Sequence, residues 1–206
     1  MVRIAFTKGR IEDKAIEIFE KSGYNCEELK NKGRKLFFDI GNEVEVVLAK
    51  ANDVITYVEH GVCDAGIVGK DTIMENGGGF FEVLDLGFGK CRFALAAKKG
   101  SDFFGGFGHK VVASKYPKVA KEYFSSIGMD VEIVKIDGSV ELAPLLGLAD
   151  GIVDIVETGS TLKENGLEVV AEVAPVSARL IVNTASMKLK KNELDKIIEA
   201  LGGGEA

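Results

Sequence analysis

The feature of this sequence that most restricts its fold is a repeated alternation of short apolar runs with stretches of helical periodicity. Residues 2–6 have the continuous apolar character of a buried strand. After the loop 7–9, apolar residues recur at the spacing of one helix face, at Ile11, Ala15, Ile18 and Phe19, and Gly23 ends that pattern. This alternation is typical of an α/β fold, in which helices cover a largely parallel sheet.

The same patterns predict the remaining elements. Strands are predicted at residues 35–40 and 43–49 around a Gly41-Asn42 turn, and then at 65–68, 91–97, 111–113, 131–136, 151–156, 168–173 and 179–183. Helices are predicted at 53–60, from 70 onwards, and at 119–127, 140–148 and 192–201. Glycines predict a break at 77–79, a loose loop at 105–108 and a frayed tail at 202–204. The arrangement fits two α/β lobes, with the chain crossing near residue 90 and returning near 176.

Charge and hydropathy exclude several classes of protein. The formal net charge of −6 argues against a broad nucleic-acid surface, so phosphates would have to be bound by a few locally focused cations and backbone amides. No run approaches the roughly 18 uncharged apolar residues of a membrane span. The N-terminus enters a strand-like pattern directly and lacks the features of a secretory signal, which predicts a cytoplasmic protein.

Cysteine and histidine are too sparse to suggest a metal centre. The cysteines Cys26, Cys63 and Cys91 are far apart, and the histidines His60 and His109 stand alone. A structural zinc site needs four ligands at closer spacing, so no metal ligand is predicted, and the thiols are expected to be reduced and mostly buried. A Ser-His-Asp arrangement and a Walker-type GxxxxGK[ST] motif are not readable in the sequence, which disfavours hydrolases and P-loop kinases.

The segment with the most informative chemistry is residues 154–162, Asp-Ile-Val-Glu-Thr-Gly-Ser-Thr-Leu. It begins at the end of an apolar strand and runs into a helix-like start, where backbone N–H groups and the helix dipole meet an anion. Asp154 can accept hydrogen bonds from sugar hydroxyls while Thr158-Gly159-Ser160-Thr161 cradles a phosphate, which favours a ribose phosphate as ligand. Serine and threonine also favour plain helix N-caps, and that alternative stays open.

A second group of residues offers positive charge. Thr7-Lys8-Gly9-Arg10 follows the first strand, at the end of the strand where open α/β sheets bind ligands. Arg34 suits a bidentate grip on phosphate or pyrophosphate, and Lys50 offers a point charge. Each is also explained as a surface cation, and Asp53 as the N-cap of its helix. Tyr116 either stacks on a purine or packs into the core at a helix start.

Taken in order, these segments resemble the ATP phosphoribosyltransferase family over nearly the whole chain. The matching pieces are residues 7–10, 34–36, 53–61, 64–71, 89–92, 114–117, 141–150, 152–156, the Thr158-Gly159 loop and 179–183. The resemblance implies an α/β, two-lobed fold like that of the type II periplasmic binding proteins, with the active site in the inter-lobe cleft. It also implies that residues 1–90 plus 177–206 form lobe I, and that 91–176 form lobe II with the phosphoribosyl pyrophosphate loop.

The resemblance further implies the reaction. The adenine N1 of ATP attacks the ribose C1 of phosphoribosyl pyrophosphate, giving phosphoribosyl-ATP and pyrophosphate in the first step of histidine biosynthesis. The implied catalytic residues are Arg34, Lys50 and Asp154. The implied phosphoribosyl pyrophosphate ligands are Asp154, Glu157, Thr158, Gly159, Ser160 and Thr161, and the implied ATP ligands are Lys8, Gly9, Arg10, Tyr116 and Glu141. Mg²⁺ is the implied cofactor, carried mainly by the substrate phosphates.

The sequence departs from the family pattern at a few points. Lys50 stands where the family often has arginine, and Thr7 where it commonly has proline or serine. No part of the sequence resembles the regulatory C-terminal domain of the long form, so the resemblance is to the short form. That form implies a regulatory subunit related to histidyl-tRNA synthetase and self-association as a dimer within a hetero-oligomer, with no nucleic-acid or membrane partner.

Two other classes of protein remain as alternatives. A solute-binding protein of the same architecture would share the cleft, but the missing signal sequence and the ribose-phosphate-like loop count against it. A cytoplasmic small-anion or nucleotide-binding protein of the same architecture would share the phosphate sites and lack turnover.

Overall fold

The computed structural model describes residues 1–106 and 108–202. Phe107 of the predicted loop at 105–108, and Gly203 and Gly204 of the predicted tail, lie outside the described residues. In chain order the elements are β1 (Val2–Thr7), α1 (Arg10–Lys21), α2 (Glu27–Lys30), β2 (Phe37–Asp39), β3 (Val44–Ala49), α3 (Ala51–Glu59), β4 (Ala65–Gly69), α4 (Lys70–Asn76), β5 (Phe80–Asp85), β6 (Cys91–Lys98), β7 (Lys110–Ser114), α5 (Pro117–Ser126), β8 (Val131–Lys135), α6 (Leu142–Leu145), β9 (Gly151–Val156), α7 (Ser160–Glu164), β10 (Leu167–Val176), β11 (Ala178–Asn183), α8 (Ser186–Leu189) and α9 (Lys191–Gly202).

The chain divides into two compact units. The first contains Met1–Gly89 together with the chain from Ser177 onwards, and the second contains Lys90–Val176. The sheet of the first unit has the strand order β2-β3-β1-β4-β11-β5. Within it β1 runs parallel to both β3 and β4, whereas β2 is antiparallel to β3, and β11 is antiparallel to β4 and β5. The carboxyl ends of β1, β3 and β4 therefore lie at one edge of this sheet.

Helices cover both faces of the first sheet. On one face α1 and α9 pack on a core that includes Phe6 and Phe19, whose ring centroids are 5.3 Å apart. On the other face α3 contributes Val54, Ile55 and Val58. Gly66 of β4 permits this packing, because a Cβ at Gly66 would lie 2.6 Å from Cγ1 of Val54. The helix periodicity of the sequence thus corresponds to burial against a sheet.

The sheet of the second unit has the strand order β10-β6-β9-β7-β8. Strands β7, β8 and β9 are parallel, and β6 is antiparallel to both β9 and β10. One part of the core is built from small and aliphatic side chains of β6, β7 and β9 and of the helices α6 and α7, among them Ala94, Ile152 and Leu162. The carboxyl ends of β7, β8 and β9 share one edge, as those of β1, β3 and β4 do in the first unit.

The predicted strands and long helices are present with small shifts of their ends, whereas the short helices α2 and α8 and the strand β5 were not predicted, and one predicted helix differs in extent. β5 was not predicted, because its residues alternate irregularly between exposed and partly buried positions and give no clear strand pattern. The helix predicted at 140–148 is wrong in extent, since α6 spans only Leu142–Leu145. Pro144 is tolerated only in a first helical turn, and Gly147, at φ 77°, ends the segment three residues later.

The three cysteines form no disulfide among the described residues. Cys26 and Cys63 are buried, and that burial raises the pKa of each thiol to about 11. Within residues 1–106 and 108–202, no helix is long and apolar enough to cross a membrane.

Candidate active site

Cations gather at the carboxyl edge of the first sheet. Because β1 and β3 are adjacent parallel strands, the residues that follow them lie side by side, and the backbone N–H of Lys8 donates to the carbonyl oxygen of Ala49 at 2.9 Å. Lys8 is therefore next to Lys50, which caps the amino end of α3. The side chains of Lys8, Arg10 and Lys50 are exposed at this edge, where three of the cations predicted from the sequence come together.

Gly9 gives the loop after β1 its shape. It has φ 100° and ψ −146°, a conformation that side-chain-bearing residues rarely adopt. Its N–H group donates to a carboxylate oxygen of Glu12 at 3.4 Å, and its carbonyl accepts the N–H of Asp13 at 3.2 Å. The hydroxyl of the preceding Thr7 donates to the carbonyl of Ile67 at 2.8 Å. The loop is thereby fixed to both α1 and β4.

Arg34 lies at the same edge, although it precedes the first sheet's hairpin in the sequence. The N–H of Leu48 near the end of β3 donates to the carbonyl of Leu36 at 2.9 Å, which brings the turn before Leu36 towards Lys50. Among the described residues no hydrogen bond or ion pair holds the exposed Arg34 side chain. Its planar guanidinium is thus available to grip a phosphate through two parallel hydrogen bonds.

Two further cations at this edge, Lys70 and Arg179, form ion pairs. Lys70 is 2.5 Å from a carboxylate oxygen of Glu82, and Arg179 bridges Glu82 at 3.3 Å and Asp85 at 2.9 Å. Ser177 adds a hydrogen bond of 2.8 Å to Asp85. This network was not predicted from the sequence, since β5, which supplies both acids, gave no strand signal.

The alternative role for Asp53 as a helix N-cap is wrong. Lys50 is the N-cap of α3, and Asp53 is the third residue of the helix. Asp53 still lies in the first turn, where a negative charge interacts favourably with the helix dipole.

In the second unit, Asp154 lies near the carboxyl end of β9 and is half-buried. Burial is the main cause that raises the pKa of its carboxyl group, and the negative charge of Glu141 raises it further. A hydrogen bond from the N–H of Ile155 and the positive charge of Lys115 act in the opposite direction on this pKa. These interactions show that Glu141, from the segment after β8, and Lys115, from the segment after β7, act on the same carboxylate.

The loop that follows Asp154 has the geometry of a small polar cradle. Gly159 adopts the left-handed conformation at φ 79° and ψ 5° and caps α7, whose first residue is Ser160. The hydroxyl oxygens of Thr158 and Ser160 are 3.0 Å apart, and the N–H of Ser160 donates to the Thr158 hydroxyl at 3.4 Å. The N-cap of α7 is Gly159, so the alternative of a plain serine or threonine N-cap is wrong.

Tyr116 is the N-cap of α5 and packs edge-on against Phe93, with ring centroids 4.9 Å apart. Its N–H donates at 2.9 Å to the hydroxyl of Ser114, which in turn donates to the carbonyl of Val153 at 2.6 Å. These bonds fix the start of α5 to the strand that carries Asp154. Tyr116 thus packs against Phe93, as one of its two interpretations predicted. Its ring is only half-buried, so it also stays a candidate for contact with a purine.

Sequence reasoning missed Lys115 and Ser114 as parts of this edge. The available signal was topological, since Lys115 directly follows β7, the strand that lies beside β9.

As to metals, residues 1–106 and 108–202 contain no group of three or more His, Cys, Asp and Glu side chains that could hold an ion.

The fold and its sheet edges define a two-lobed α/β protein with cations and hydroxyl groups at the carboxyl ends of its parallel strands. Solved structures with the same fold include the alkanesulfonate-binding protein SsuA from Xanthomonas axonopodis, with a TM-score of 0.57 and 10% identity over 97% of this chain and 71% of that chain. Another is the periplasmic VFT2 domain of BvgS from Bordetella pertussis, with a TM-score of 0.60 and 12% identity over 100% of this chain and 88% of that chain. At such identities the likeness concerns the fold alone.

Closer similarity identifies the family. A model of HisG, ATP phosphoribosyltransferase, matches residues 50–203. ATP phosphoribosyltransferases from Clostridium kluyveri and Clostridium novyi are 61% and 60% identical to the chain, each over 96% of it and over 90% and 95% of their own lengths. A chain in the ATP phosphoribosyl transferase (HisG:HisZ) complex from Thermotoga maritima matches with a TM-score of 0.83 and 34% identity, over 98% of this chain and 97% of that one. The chain belongs to the ATP phosphoribosyltransferase family, the enzymes of the first step of histidine biosynthesis.

Proposed function

We propose that the second unit binds phosphoribosyl pyrophosphate through Asp154 and the loop 157–161. The observation that carries this assignment is a half-buried carboxylate near the carboxyl end of β9, the strand that leads into a loop of exposed hydroxyls around the left-handed Gly159. Asp154 accepts hydrogen bonds from the ribose hydroxyls, and Thr158, Ser160 and Thr161 donate to the 5′-phosphate, with Glu157 beside them. Anions are well held by convergent N–H and O–H donors of this kind.

The cations of the first unit then serve the other phosphates. Lys8 and Arg10 bind the triphosphate of ATP, with Gly9 setting the loop, while Arg34 and Lys50 act on the pyrophosphate that leaves. The exposed position of these side chains, and the absence of a partner for Arg34 among the described residues, support this assignment. We assign Tyr116 and Glu141 to the adenosine part of ATP, which needs an aromatic face and an acceptor for its hydroxyls or amino group.

The chemistry needs alignment and charge stabilisation more than proton transfer. The lone pair of adenine N1 forms the new bond to the ribose C1, and the bond from C1 to pyrophosphate breaks with its electron pair leaving on the pyrophosphate oxygen. Positive charge develops on the sugar carbon, which the Asp154 carboxylate favours, and negative charge grows on the leaving group, which Arg34 and Lys50 stabilise.

Mg²⁺ is proposed as a cofactor held mainly by substrate phosphates. The described side chains offer no cluster of three candidate ligands, which suits an ion that keeps its waters and binds through one or two carboxylates plus phosphates. When bound, it neutralises charge on the pyrophosphate.

We further propose a cytoplasmic enzyme that works with a regulatory subunit related to histidyl-tRNA synthetase, as part of a hetero-oligomer. The similarity to a chain solved in a HisG:HisZ complex supports this proposal. Activity measured with and without such a subunit tests it, and an unchanged rate with no detectable complex would contradict it.

The assignment of substrates to the two sheet edges is tested by binding each ligand alone. We expect Thr158→Val to weaken the binding of ribose 5-phosphate, measured by calorimetry, and to leave ATP binding unchanged. Lys8→Met should weaken ATP binding and leave ribose 5-phosphate binding unchanged. Lys163→Met, on the exposed side of α7, serves as a control for loss of a surface group. If the two variants weaken the same ligand, the assignment is wrong.

A further inference from the structure

The carboxylate of Glu12 is buried in the first turn of α1, with 1% of its surface exposed. One oxygen accepts the N–H of Gly9 at 3.4 Å, and the other is paired with the ammonium group of Lys32. A buried carboxylate carries a desolvation cost, and replacing such an ion pair by apolar residues is often neutral or stabilising. Stability alone is therefore a weak explanation for this pair.

Lys32 belongs to the turn that carries Arg34. The carbonyl of Lys32 accepts the N–H of Lys35 at 2.9 Å, and Gly33 between Lys32 and Arg34 has a φ of 53°. Every residue from Gly33 to Phe37 is exposed, so little apolar burial holds this turn in place. The ion pair with Glu12 links the turn to the buried part of the unit.

We propose that Glu12 is a positioning residue that ties the loop 8–10 to the turn 32–34. Through Gly9 it fixes the loop assigned to the ATP phosphates, and through Lys32 it fixes the turn that presents Arg34 to the leaving pyrophosphate. This inference rests on the proposed function, because it gives Glu12 a catalytic consequence only if Arg34 acts in the reaction.

The first unit contains a matched pair for comparison. Asp64 is also buried, at 6% exposure, and its carboxylate is 2.8 Å from the ammonium group of Lys190. The lysine side chains of the two pairs are exposed to nearly the same extent, 36% for Lys32 and 38% for Lys190. Asp64 precedes β4 and accepts the N–H of Arg3, so this pair lies towards the opposite edge of the sheet from Lys8 and Lys50.

The experiment compares Lys32→Met with Lys190→Met in steady-state kinetics and thermal unfolding of the full chain. Each variant leaves a buried carboxylate without its lysine, so both should lower Tm. Only Lys32→Met should lower kcat, by about 10- to 100-fold, as expected when a catalytic group is misplaced by around 1 Å. Lys32→Arg, which keeps the charge, should restore most of the rate.

A double-variant cycle shows whether Lys32 affects kcat by positioning Arg34 or makes a separate contribution to kcat. If Lys32 acts through Arg34, adding Lys32→Met to Arg34→Ala should give no further loss of kcat. Glu12→Gln, which keeps the shape of the buried side chain, should show the same lack of additivity with Arg34→Ala. Losses that multiply, or a Lys32→Met variant that lowers only Tm as Lys190→Met does, would overturn the inference. An Arg34→Ala variant with normal kcat would instead refute the proposed role of Arg34. The positioning role of Glu12, which depends on Arg34, would then be refuted as well.

Discussion

Asp154 and Glu141 carry like charges at the same edge of the second sheet, and burial together with the Glu141 charge raises the pKa of Asp154 above its ordinary value. Such a carboxylate is held in an environment that disfavours its charge before any ligand arrives. A ligand that supplies hydroxyl donors, and a reaction that develops positive charge beside it, both favour the ionised form. On the proposed assignment of Asp154, the free enzyme therefore keeps an unfavourable interaction that substrate binding relieves.

Asp154→Asn should keep the shape of the side chain and lose the charge that favours a cationic sugar carbon. We expect a loss of transition-state stabilisation of roughly 2–4 kcal/mol, as for removal of one preorganised electrostatic group. The measurement is kcat/KM for phosphoribosyl pyrophosphate, with the exposed Asp130, which precedes β8, replaced by asparagine as control. Normal turnover in a folded Asp154→Asn protein would refute the role of this residue.

The same substitution should make the free protein more stable at neutral pH. Because the folded-state pKa of Asp154 is raised, its ionisation costs stability as pH rises from the unfolded-state pKa through the folded-state pKa. Below both values the carboxyl group is protonated in both states and the cost disappears. Thermal unfolding should thus give a higher Tm for Asp154→Asn than for wild type at pH 7, and equal Tm values in strong acid. A lower Tm at pH 7 would contradict this pKa direction.

Arg34→Ala should lower kcat more than it weakens ATP binding, because the pyrophosphate gains charge in the transition state. Arg34→Lys should recover only part of the rate, since an ammonium group cannot make the two parallel hydrogen bonds of a guanidinium. Lys30→Met, which removes a lysine paired with Glu20, controls for general loss of charge. A rise in KM with unchanged kcat would mean that Arg34 binds ground state and transition state equally.

Gly159→Ala should weaken phosphoribosyl pyrophosphate binding through backbone strain in the loop. Gly159 and Gly166 border the same short helix and have similar left-handed φ angles, 79° and 67°. An alanine at either position should cost about 1–2 kcal/mol of stability. Only Gly159→Ala should also raise KM for phosphoribosyl pyrophosphate, whereas equal kinetic constants for the two variants would remove the loop from the binding site.

Most of the fold followed from local patterns, because helices and strands that bury one face repeat apolar residues at fixed spacings. Periodicity failed at β5, whose Phe80 and Phe81 are partly exposed and which lies at the edge of its sheet. It also failed at α6, where apolar residues are abundant but Leu142, Leu145 and Leu146 are exposed. In both β5 and α6, the apolar residues do not all lie on a buried face, so their spacing in the sequence does not indicate the element.

The candidate site could be predicted as segments but not as an arrangement. Residue types and the resemblance indicated Arg34, Lys50 and Asp154, yet no local pattern shows that Leu36 pairs with Leu48 and so brings Arg34 towards Lys50. Lys115 was missed for the same reason, because its influence on Asp154 comes from the adjacency of β7 and β9. Long-range strand order determines these relationships, and a single sequence does not reveal strand order.

The most direct test of the account is the stoichiometry of product formation by the purified chain supplied with Mg²⁺, with the regulatory subunit added in a parallel reaction. We expect pyrophosphate release to require both ATP and phosphoribosyl pyrophosphate, with one pyrophosphate formed for each ATP converted to phosphoribosyl-ATP. Asp154→Asn and Arg34→Ala should slow that release, and the Asp130→Asn control should not. If ATP and phosphoribosyl pyrophosphate bind but no pyrophosphate appears in either reaction, the chain binds nucleotides without turnover, and its assignment as the catalytic subunit is contradicted.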